Sequence, residues 1–216
     1  MKLPILSHTF LSNYENCPRK AWHLYVAKDL PKEPPSLEMQ AGIVAHSAFE
    51  RGLQANNPDA TPHPEFSRAI LANAGIKHFE FECGIARTGT AVGFWTDVCW
   101  FRGKIDVVLV APPNGFIADW KTGKPREDPK ELQRFAVLLQ ALYPGVDAWA
   151  GAYVWLKEGR FGETHNISDT KSTFREIERL DDAIRSKPLE KEWNPTPNPL
   201  CGWCPVTTCE HWRPRK

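Results

Sequence analysis

The sequence lacks a long hydrophobic run, an excess of charge of one sign and a secretion signal. Its 216 residues include 27 basic and 26 acidic side chains, so no global positive field identifies a nucleic-acid-binding protein. No apolar run approaches the roughly 18 residues of a membrane span, and the opening MKLPILSHTF does not have the charged-then-apolar order of a signal peptide. We therefore expect a cytoplasmic protein without a membrane partner, in which any contact with nucleic acid comes from a local groove.

Hydrophobic residues make up 42% of the chain, which is enough for one packed domain with a small appendage. The hydrophobic periods predict helices over 6–27, 36–54, 66–74, 128–143 and 170–185, and strands over 78–85, 98–110, 116–121 and 148–156. Asp128, Pro129 and Glu131 form a helix start signal with Asp128 as the cap. The strand–helix–strand passage over 116–156 is a crossover, which pairs its two strands in parallel. The predicted fold class is α/β (α+β), a mixed sheet flanked by helices.

Two short strands between Gly103 and Lys121 carry one acidic residue each among apolar neighbours. Asp106 lies in KIDVVLV and Asp119 lies in FIADWK. Lys121 follows Asp119 by two residues and shares its face of the strand, because strand side chains alternate. Two converging carboxylates and an ammonium suit a magnesium-dependent phosphodiesterase. The ordinary alternative is a pair of strand-end aspartates in solvent or in salt bridges.

Gly42, His46 and Glu50 share one face of the helix predicted over 36–54, because they are spaced by four residues. A lone helical histidine is more often a structural hydrogen-bonding group than a metal ligand. His46 therefore becomes a candidate ligand only if a metal site lies opposite this helix.

The six cysteines indicate metal binding rather than disulfides if the compartment is reducing. Cys83 and Cys99 lie within apolar strand patterns, and we expect both in the core. The remaining four are Cys17, Cys201, Cys204 and Cys209.

The last three of these cysteines have the spacing C-x2-C-x4-C in a proline-rich segment, which is typical of a metal site that needs a fourth ligand. His211 would complete a Cys3His zinc knuckle. Cys17 would instead complete an all-thiolate site suited to a four-iron cluster, and it would join the two ends of the chain.

These residues together resemble the PD-(D/E)XK nuclease superfamily, and more closely its RecB-like branch with an iron–sulfur cluster, as in the AddB nuclease domain and the CRISPR adaptation nucleases. The matching elements, in order, are Cys17-Pro-Arg-Lys, Gly42-x3-His46-x3-Glu50, Gly103-x2-Asp106, Asp119-Trp120-Lys121, Gln133, and Cys201-x2-Cys204 with Cys209. Each motif alone is weak, but their order and spacing are specific, and they span most of the chain. The resemblance implies a restriction-endonuclease-like core with a cysteine-rich clasp between the N- and C-terminal segments.

The resemblance also implies a metal-dependent deoxyribonuclease, an exonuclease acting on single-stranded DNA or DNA ends. Asp106, Asp119, His46 and the backbone carbonyl of Trp120 would hold Mg²⁺ or Mn²⁺. Lys121 would orient or activate the attacking water and stabilise charge on the phosphate. Such an enzyme would work in the cytoplasm of a bacterial or phage-infected cell, with recombination or repair proteins as possible partners.

The remaining implied roles concern the surroundings of the metal. Glu50 would support the site through a water or a second metal, and Gln133 would contact substrate at the mouth of the cleft. A [4Fe–4S] cluster would be held by Cys17, Cys201, Cys204 and Cys209, with Zn²⁺ and His211 as the alternative. Candidates for a basic, DNA-binding lining are Lys104, Lys124, Arg126, Lys130 and Arg134.

The sequence departs from the family pattern at two places. Val137 occupies a position where the family often has a tyrosine, and Asp119 stands where glutamate is commoner. We expect one compact domain with an N-terminal helical segment over 1–35, a nuclease core over 36–187 and a cysteine-rich tail over 188–216. The alternative function is a non-catalytic nucleic-acid- or protein-binding module stabilised by zinc.

Overall fold

The computed structural model describes residues 3–31 and 34–213, so parts of the predicted segments 1–35 and 188–216 lie outside the described residues. The chain divides into two compact units. One comprises Met1–Pro34 with Arg175–Lys216, and the other comprises Pro35–Phe174. No helix in the described ranges has both the length and the apolar character of a membrane span.

A mixed sheet forms the centre of the unit Pro35–Phe174. Its strands are β1 (Ile76–Ile85), β2 (Ala91–Val92), β3 (Phe101–Ala111), β4 (Asn114–Lys121), β5 (Ala148–Trp155), β6 (Arg160–Phe161) and β7 (His165–Ile167). They lie in the order β2-β1-β3-β4-β5-β6, and β7 also pairs with β5. Only β4 and β5 pair in parallel within the described sheet. The predicted mixed sheet and its crossover are therefore confirmed.

The described residues form six α-helices. These are α1 (His8–Asn16), α2 (Pro18–Ala21), α3 (Leu37–Gln54), α4 (Pro64–Ala72), α5 (Lys130–Leu142) and α6 (Thr170–Arg185). A π-helical turn over Trp22–Ala27 follows α2 directly. The helix predicted over 6–27 is interrupted at Cys17, whose backbone is extended, and it restarts with Pro18 in the first turn of α2.

Side-chain caps explain where α1 and α3 begin. The Ser7 hydroxyl accepts the Phe10 N–H at 3.2 Å, and the Ser36 hydroxyl accepts the Met39 N–H at 3.2 Å. The predicted cap of α5 was wrong by one residue, because Pro129 rather than Asp128 occupies the cap position. Asp128 Oδ1 still accepts the Lys130 N–H at 3.2 Å and so satisfies the first donor of the helix.

Helices cover both faces of the sheet. On one face α3 and α4 contribute Phe49, Leu53, Phe66 and Ile70 to a core that also contains Val107, Leu109, Ala118, Trp120, Val154 and Leu156 of the sheet or its end. On the other face α5 packs closely against β3. A Cβ added at Gly103 would lie 2.9 Å from the Phe135 ring and 3.0 Å from Leu138. The glycine therefore permits close approach of the helix to the strand.

Close to Asp106, the side chains of β3 no longer alternate regularly between the two faces of the sheet. Gly103 approaches α5, whereas Val107 and Leu109 belong to the core formed with α3 and α4. Regular alternation would keep residues four apart on the same face. The irregularity is shared with β1, because Glu80, opposite Asp106 in the register, has a left-handed φ of 51°. The pair Glu80–Asp106 is missing from the β1–β3 ladder, but the pairs on either side of it keep the same register.

Trp193 organises the other unit, in which the C-terminal segment packs on the N-terminal helices. Its ring lies 5.3 Å from that of Tyr14 and 5.4 Å from that of Trp22, and it is fully buried. Arg19 donates to its backbone carbonyl at 3.0 Å. Burial of a large aromatic ring in this way contributes roughly 2–3 kcal/mol, so it anchors the segment that carries three of the cysteines.

Candidate functional site

His46, Glu80 and Asp106 form a cluster whose ligand atoms all lie within 4.8 Å of one another. His46 Nδ1 is 3.4 Å from Asp106 Oδ1 and 3.8 Å from Glu80 Oε1. The three side chains come from α3, β1 and β3. One imidazole and two carboxylates are suitable ligands for Mg²⁺ or Mn²⁺.

Backbone geometry fixes the two carboxylates of this cluster. Glu80 takes a left-handed conformation that a non-glycine residue rarely adopts and that costs of the order of 1–3 kcal/mol. Asp106 is buried, and its Oδ2 accepts the backbone N–H of Trp120 at 2.7 Å. The conformation of Glu80 therefore lowers the stability of the fold while it fixes the position of the carboxylate, as is common at functional sites.

Asp119 and Lys121 project from β4 beside this cluster and form a second set of charges with Glu131 of α5. The Lys121 ammonium lies 2.6 Å from Asp119 Oδ2 and 2.7 Å from Glu131 Oε2. It also lies 5.3 Å from the ring centroid of Tyr153. The ammonium is thus held between two carboxylates and an aromatic face, in a half-buried position.

Burial and neighbouring charges shift the pKa values of the side chains in both groups. Burial raises the pKa of Asp106 and of Asp119, and the negative charge of Asp106 adds to the effect at Asp119. Hydrogen bonding to Asp106 and Glu80 raises the pKa of His46 to about 10. Burial alone would lower the pKa of Lys121, but Asp119 and Glu131 outweigh it and hold that pKa above its ordinary value. Lys121 is therefore a permanent cation.

Two buried carboxylate oxygens at the site have no well-directed hydrogen bond. They are Glu80 Oε1 and Asp119 Oδ2, the second of which is ion-paired with Lys121. A buried, unsatisfied charged oxygen is costly, and such atoms normally find a donor or a cation. A divalent cation bound by His46, Glu80 and Asp106 would satisfy Glu80 Oε1, so these residues fit a hard metal ion. Asp119, a predicted ligand, lies outside this three-residue group and pairs with Lys121.

An open pocket of about 420 Å³ lies against the cluster. Its lining consists of Met39, Gly42, Ile43, His46, Ser47, Glu50, Glu80, Lys104 and Thr122. Glu50 is therefore at the pocket, on the same face of α3 as His46, as the sequence pattern indicated. The Lys104 ammonium lies 2.9 Å from Glu80 Oε2. Lys104 is therefore a half-exposed cation at the pocket.

The other predicted substrate residues differ in accessibility. Lys124, Arg126 and Lys130 are exposed, and Gln133 is half-buried in the first turns of α5. Arg134, in contrast, retains 1% of its surface exposure and does not contribute to an exposed lining. Sequence reasoning placed it there by its charge alone, whereas its position on α5 directs it into the interior. The metal-binding role of the Trp120 carbonyl stays a prediction.

Sequence reasoning missed Glu80 and Glu131. In the sequence Glu80 is only one position of the strand predicted over 78–85, and Glu131 is only part of a helix start signal. The register that sets Glu80 opposite Asp106 is a tertiary property. For Glu131 a usable signal existed, because the first turn of a crossover helix lies near the end of the strand that precedes it.

The four predicted cluster cysteines all belong to the unit built around Trp193. They are half-buried free thiols, whereas Cys83 and Cys99 are buried as expected, Cys83 in β1 and Cys99 just before β3. The Thr196 N–H points at Cys17 Sγ at 3.4 Å, and the Asn198 N–H points at Cys201 Sγ at 3.3 Å. Backbone donors of this kind commonly support metal-bound thiolates.

Cys17 and Cys209 are close enough to influence each other. Burial raises the pKa of the Cys209 thiol, and the charge of Cys17 adds to this effect. His211 is partly exposed, with its Nε2 4.0 Å from Glu210 Oε1. Cys17 and the three C-terminal cysteines thus lie in the same compact unit. Among the described residues the one group with ligand atoms close enough together to hold a metal contains no cysteine, so the thiolate-bound metal or cluster stays a prediction.

Comparison with known proteins assigns the family. A family model described as the PD-(D/E)XK nuclease superfamily matches residues 53–209, which is more than half of the chain, so the chain belongs to the PD-(D/E)XK nuclease superfamily. No curated protein matches the sequence. One matching solved structure, described as "Crystal structure of SSO0001", has 14% sequence identity and a TM-score of 0.49, with 99% of this chain and 89% of that chain covered. Because His46 and Glu50 precede the matched range, their assignment depends on the geometry above.

Proposed function

We propose that the protein is a Mg²⁺- or Mn²⁺-dependent deoxyribonuclease that hydrolyses phosphodiester bonds, as an exonuclease on single-stranded DNA or DNA ends. The observation that carries the proposal is the group of His46, Glu80 and Asp106, in which the buried Glu80 Oε1 has no hydrogen bond, beside the ion pair of Asp119 with the Lys121 ammonium. Structural ion pairs in a protein core normally satisfy their own atoms. A buried carboxylate oxygen without a hydrogen bond is suited to bind a cation.

Each residue has a defined part in this proposal. His46, Glu80, Asp106 and Asp119 would hold the metal, which when bound polarises the phosphate and lowers the pKa of a bound water. Lys121 donates hydrogen bonds to the attacking water or to the phosphate oxygens and stabilises the charge that develops there. Because its pKa is held above the ordinary value, Lys121 works as a cation and not as the base that removes the proton.

Cations around the pocket would bind the DNA backbone. Lys104 lies in the pocket itself, Lys124 and Arg126 are exposed on the segment between β4 and α5, and Lys130 is exposed at the start of α5. Phosphate contacts of this kind release counterions, so DNA binding should weaken steeply with salt. Gln133 of the same helix would contact substrate next to them.

We propose further that the cysteine group of Cys17, Cys201, Cys204 and Cys209 holds a [4Fe–4S] cluster, as in the RecB-like branch. The two backbone donors aimed at sulfur support a thiolate-bound group. Protein purified without oxygen should contain iron and acid-labile sulfide. Cys17→Ser should remove both, whereas His211→Ala should retain them. Stoichiometric zinc that survives Cys17→Ser and is lost in His211→Ala would overturn this assignment.

The nuclease proposal is tested with end-labelled linear DNA and circular DNA, each single- and double-stranded, incubated with Mg²⁺, Mn²⁺ or EDTA. We expect metal-dependent loss of the linear single strand and survival of the closed circles. Asp119→Ala should abolish the cleavage, and Lys121→Ala should lower it by about 10²- to 10³-fold. Metal-independent binding without cleavage by any form would instead support the alternative of a non-catalytic binding module.

A further inference from the structure

An exposed tryptophan lies beside the β1–β3 ladder, whose strands also carry Glu80 and Asp106 of the candidate metal site. Trp95 belongs to the segment between β2 and β3, and 74% of its surface is exposed. Its indole N–H donates to Glu82 Oε2 at 3.2 Å. The Arg102 guanidinium lies 4.8 Å from its ring centroid. An aromatic ring that is both open to solvent and fixed by two contacts is a preformed binding surface.

Arg102 also makes the neighbouring ring part of this surface. Its guanidinium lies 4.4 Å from the Phe94 ring centroid, and it donates to the Phe94 carbonyl at 3.1 Å. The Phe94 and Trp95 rings meet edge to face at 4.9 Å. We call Phe94, Trp95 and Arg102 the Trp95 platform. The cation covers part of the tryptophan, and the remaining surface of the ring is available.

A row of charged side chains along β1 and β3 connects the Trp95 platform with the group of His46, Glu80 and Asp106. In the register Glu82 pairs with Lys104 and Gly84 pairs with Arg102. The Lys104 ammonium contacts Glu80 of the cluster at 2.9 Å, and Glu82 holds Trp95. Arg102 and Asp106 are four residues apart on β3, which corresponds to roughly 13 Å. About four nucleotides of a stacked strand span that distance.

We propose that the Trp95 platform stacks a base of a single-stranded nucleic acid whose scissile phosphate lies at the metal cluster. The inference deepens the proposed nuclease function and rests on it. A base presents a π-face to the ring, while Arg102 and Lys104 supply positive charge for the intervening phosphates. In a duplex the faces of the bases are already stacked inside the helix. The platform therefore selects single strands or frayed ends.

The test measures binding separately from cleavage. A short fluorescein-labelled oligo-dT is titrated in Ca²⁺ with the wild type, Trp95→Ala, Trp95→Phe and Val98→Ala, and cleavage is assayed in Mn²⁺. Val98 is a matched control, because it is 64% exposed in the same segment but carries no ring. An abasic oligonucleotide of equal length and a blunt duplex complete the set of ligands.

We expect Trp95→Ala to weaken oligo-dT binding by roughly 5- to 100-fold, which is the range for loss of one stacked base. Trp95→Phe should restore most of it, and Val98→Ala should bind as the wild type does. Trp95→Ala should bind the abasic strand and the duplex with the same affinity as the wild type, since neither ligand offers a free base. This pattern would support base stacking at the platform.

The opposing outcomes distinguish the two proposals. If the wild type cleaves DNA and Trp95→Ala binds oligo-dT normally, the platform inference falls and the nuclease stands. If Trp95→Ala lowers the oligomeric state in light scattering without affecting binding, the ring is a contact between copies of the chain and the inference also falls. If binding depends on Trp95 but no metal supports cleavage, the nuclease proposal falls. A wild type that binds no nucleic acid overturns both.

Discussion

Asp106 accepts the backbone N–H of Trp120 at 2.7 Å, at the point where the ladder between β3 and β4 ends. The last regular pair is Val107 with Ala118, and the same register would place Asp106 opposite Asp119. A side-chain carboxylate thus serves as acceptor where a strand would normally supply a carbonyl. This contact brings the two buried acids close together. Burial raises the pKa of Asp119, and repulsion from Asp106 raises it further.

Replacing Lys121 should affect both activity and stability. Lys121→Ala removes the cation between Asp119 and Glu131, so we expect cleavage to fall by about 10²- to 10³-fold. Without metal the variant should also lose about 1–3 kcal/mol of unfolding free energy, because Asp119 is left buried without its partner. Urea denaturation with EDTA and with Mn²⁺ measures this, and metal should restore part of the loss.

Lys157→Ala is the control for Lys121→Ala, because Lys157 is an exposed lysine of the turn after β5. It should leave cleavage and stability unchanged. A Lys121→Ala variant with wild-type cleavage in Mn²⁺ would contradict the assignment of this residue.

Glu80 should contribute to metal affinity although no sequence motif identified it. We expect Mn²⁺ to raise the melting temperature of the wild type, since a ligand that binds the native state stabilises it. In Glu80→Gln this rise should require at least about tenfold more metal. Glu82→Gln, two residues along the same strand and outside the cluster, should respond to metal as the wild type does. Equal responses of all three proteins would exclude Glu80 as a ligand.

The raised pKa of His46 makes the stability of the metal-free protein depend on pH. In the folded state hydrogen bonding to Asp106 and Glu80 raises that pKa from 6.5 to about 10. The protonated imidazole therefore stabilises the fold fully below about pH 6.5, and the contribution is lost as the pH rises through about 10. The difference in unfolding free energy between the wild type and His46→Asn, measured in EDTA, should shrink over this window. A difference that stays constant with pH would contradict it.

Gly103 should tolerate no side chain. An added Cβ would lie 2.9 Å from the Phe135 ring, so Gly103→Ala should destabilise the protein by about 1–3 kcal/mol through overpacking between β3 and α5. Gly145→Ala is the matched control, because nothing lies within 4 Å of its added Cβ. Thermal melting of both variants measures the contrast, and an unchanged Gly103→Ala would show that α5 can move away from the strand.

Local signals in the sequence predicted much of this fold. Ser7 and Ser36 cap α1 and α3, close to where the hydrophobic periods predicted these helices to begin. The proline after Cys17 restarts the helix there. Period-two and period-3.6 patterns gave the sheet and the crossover between β4 and β5. These features depend on interactions between residues close in sequence, which is why one sequence suffices to find them.

The parts that were missed depend on tertiary geometry. Glu80 joins the metal cluster only because β1 pairs with β3 in one register and departs from regular strand geometry at that residue. Arg134 is buried although its charge suggested a surface role, because the apolar environment of α5 surrounds its position. Neither a register nor the depth of a helix position is contained in a local pattern.

The change of face in β3 at Asp106 has a consequence for how the chain acquires activity during folding. His46 comes from the layer of α3 and α4, while Lys121 meets Glu131 from the layer of α5 on the other side of the sheet. The candidate cation site is therefore complete only after both layers have condensed on the same two strands. A nascent or partly unfolded chain that has formed one layer has no assembled site, so we expect the proposed nuclease activity only from the fully folded molecule.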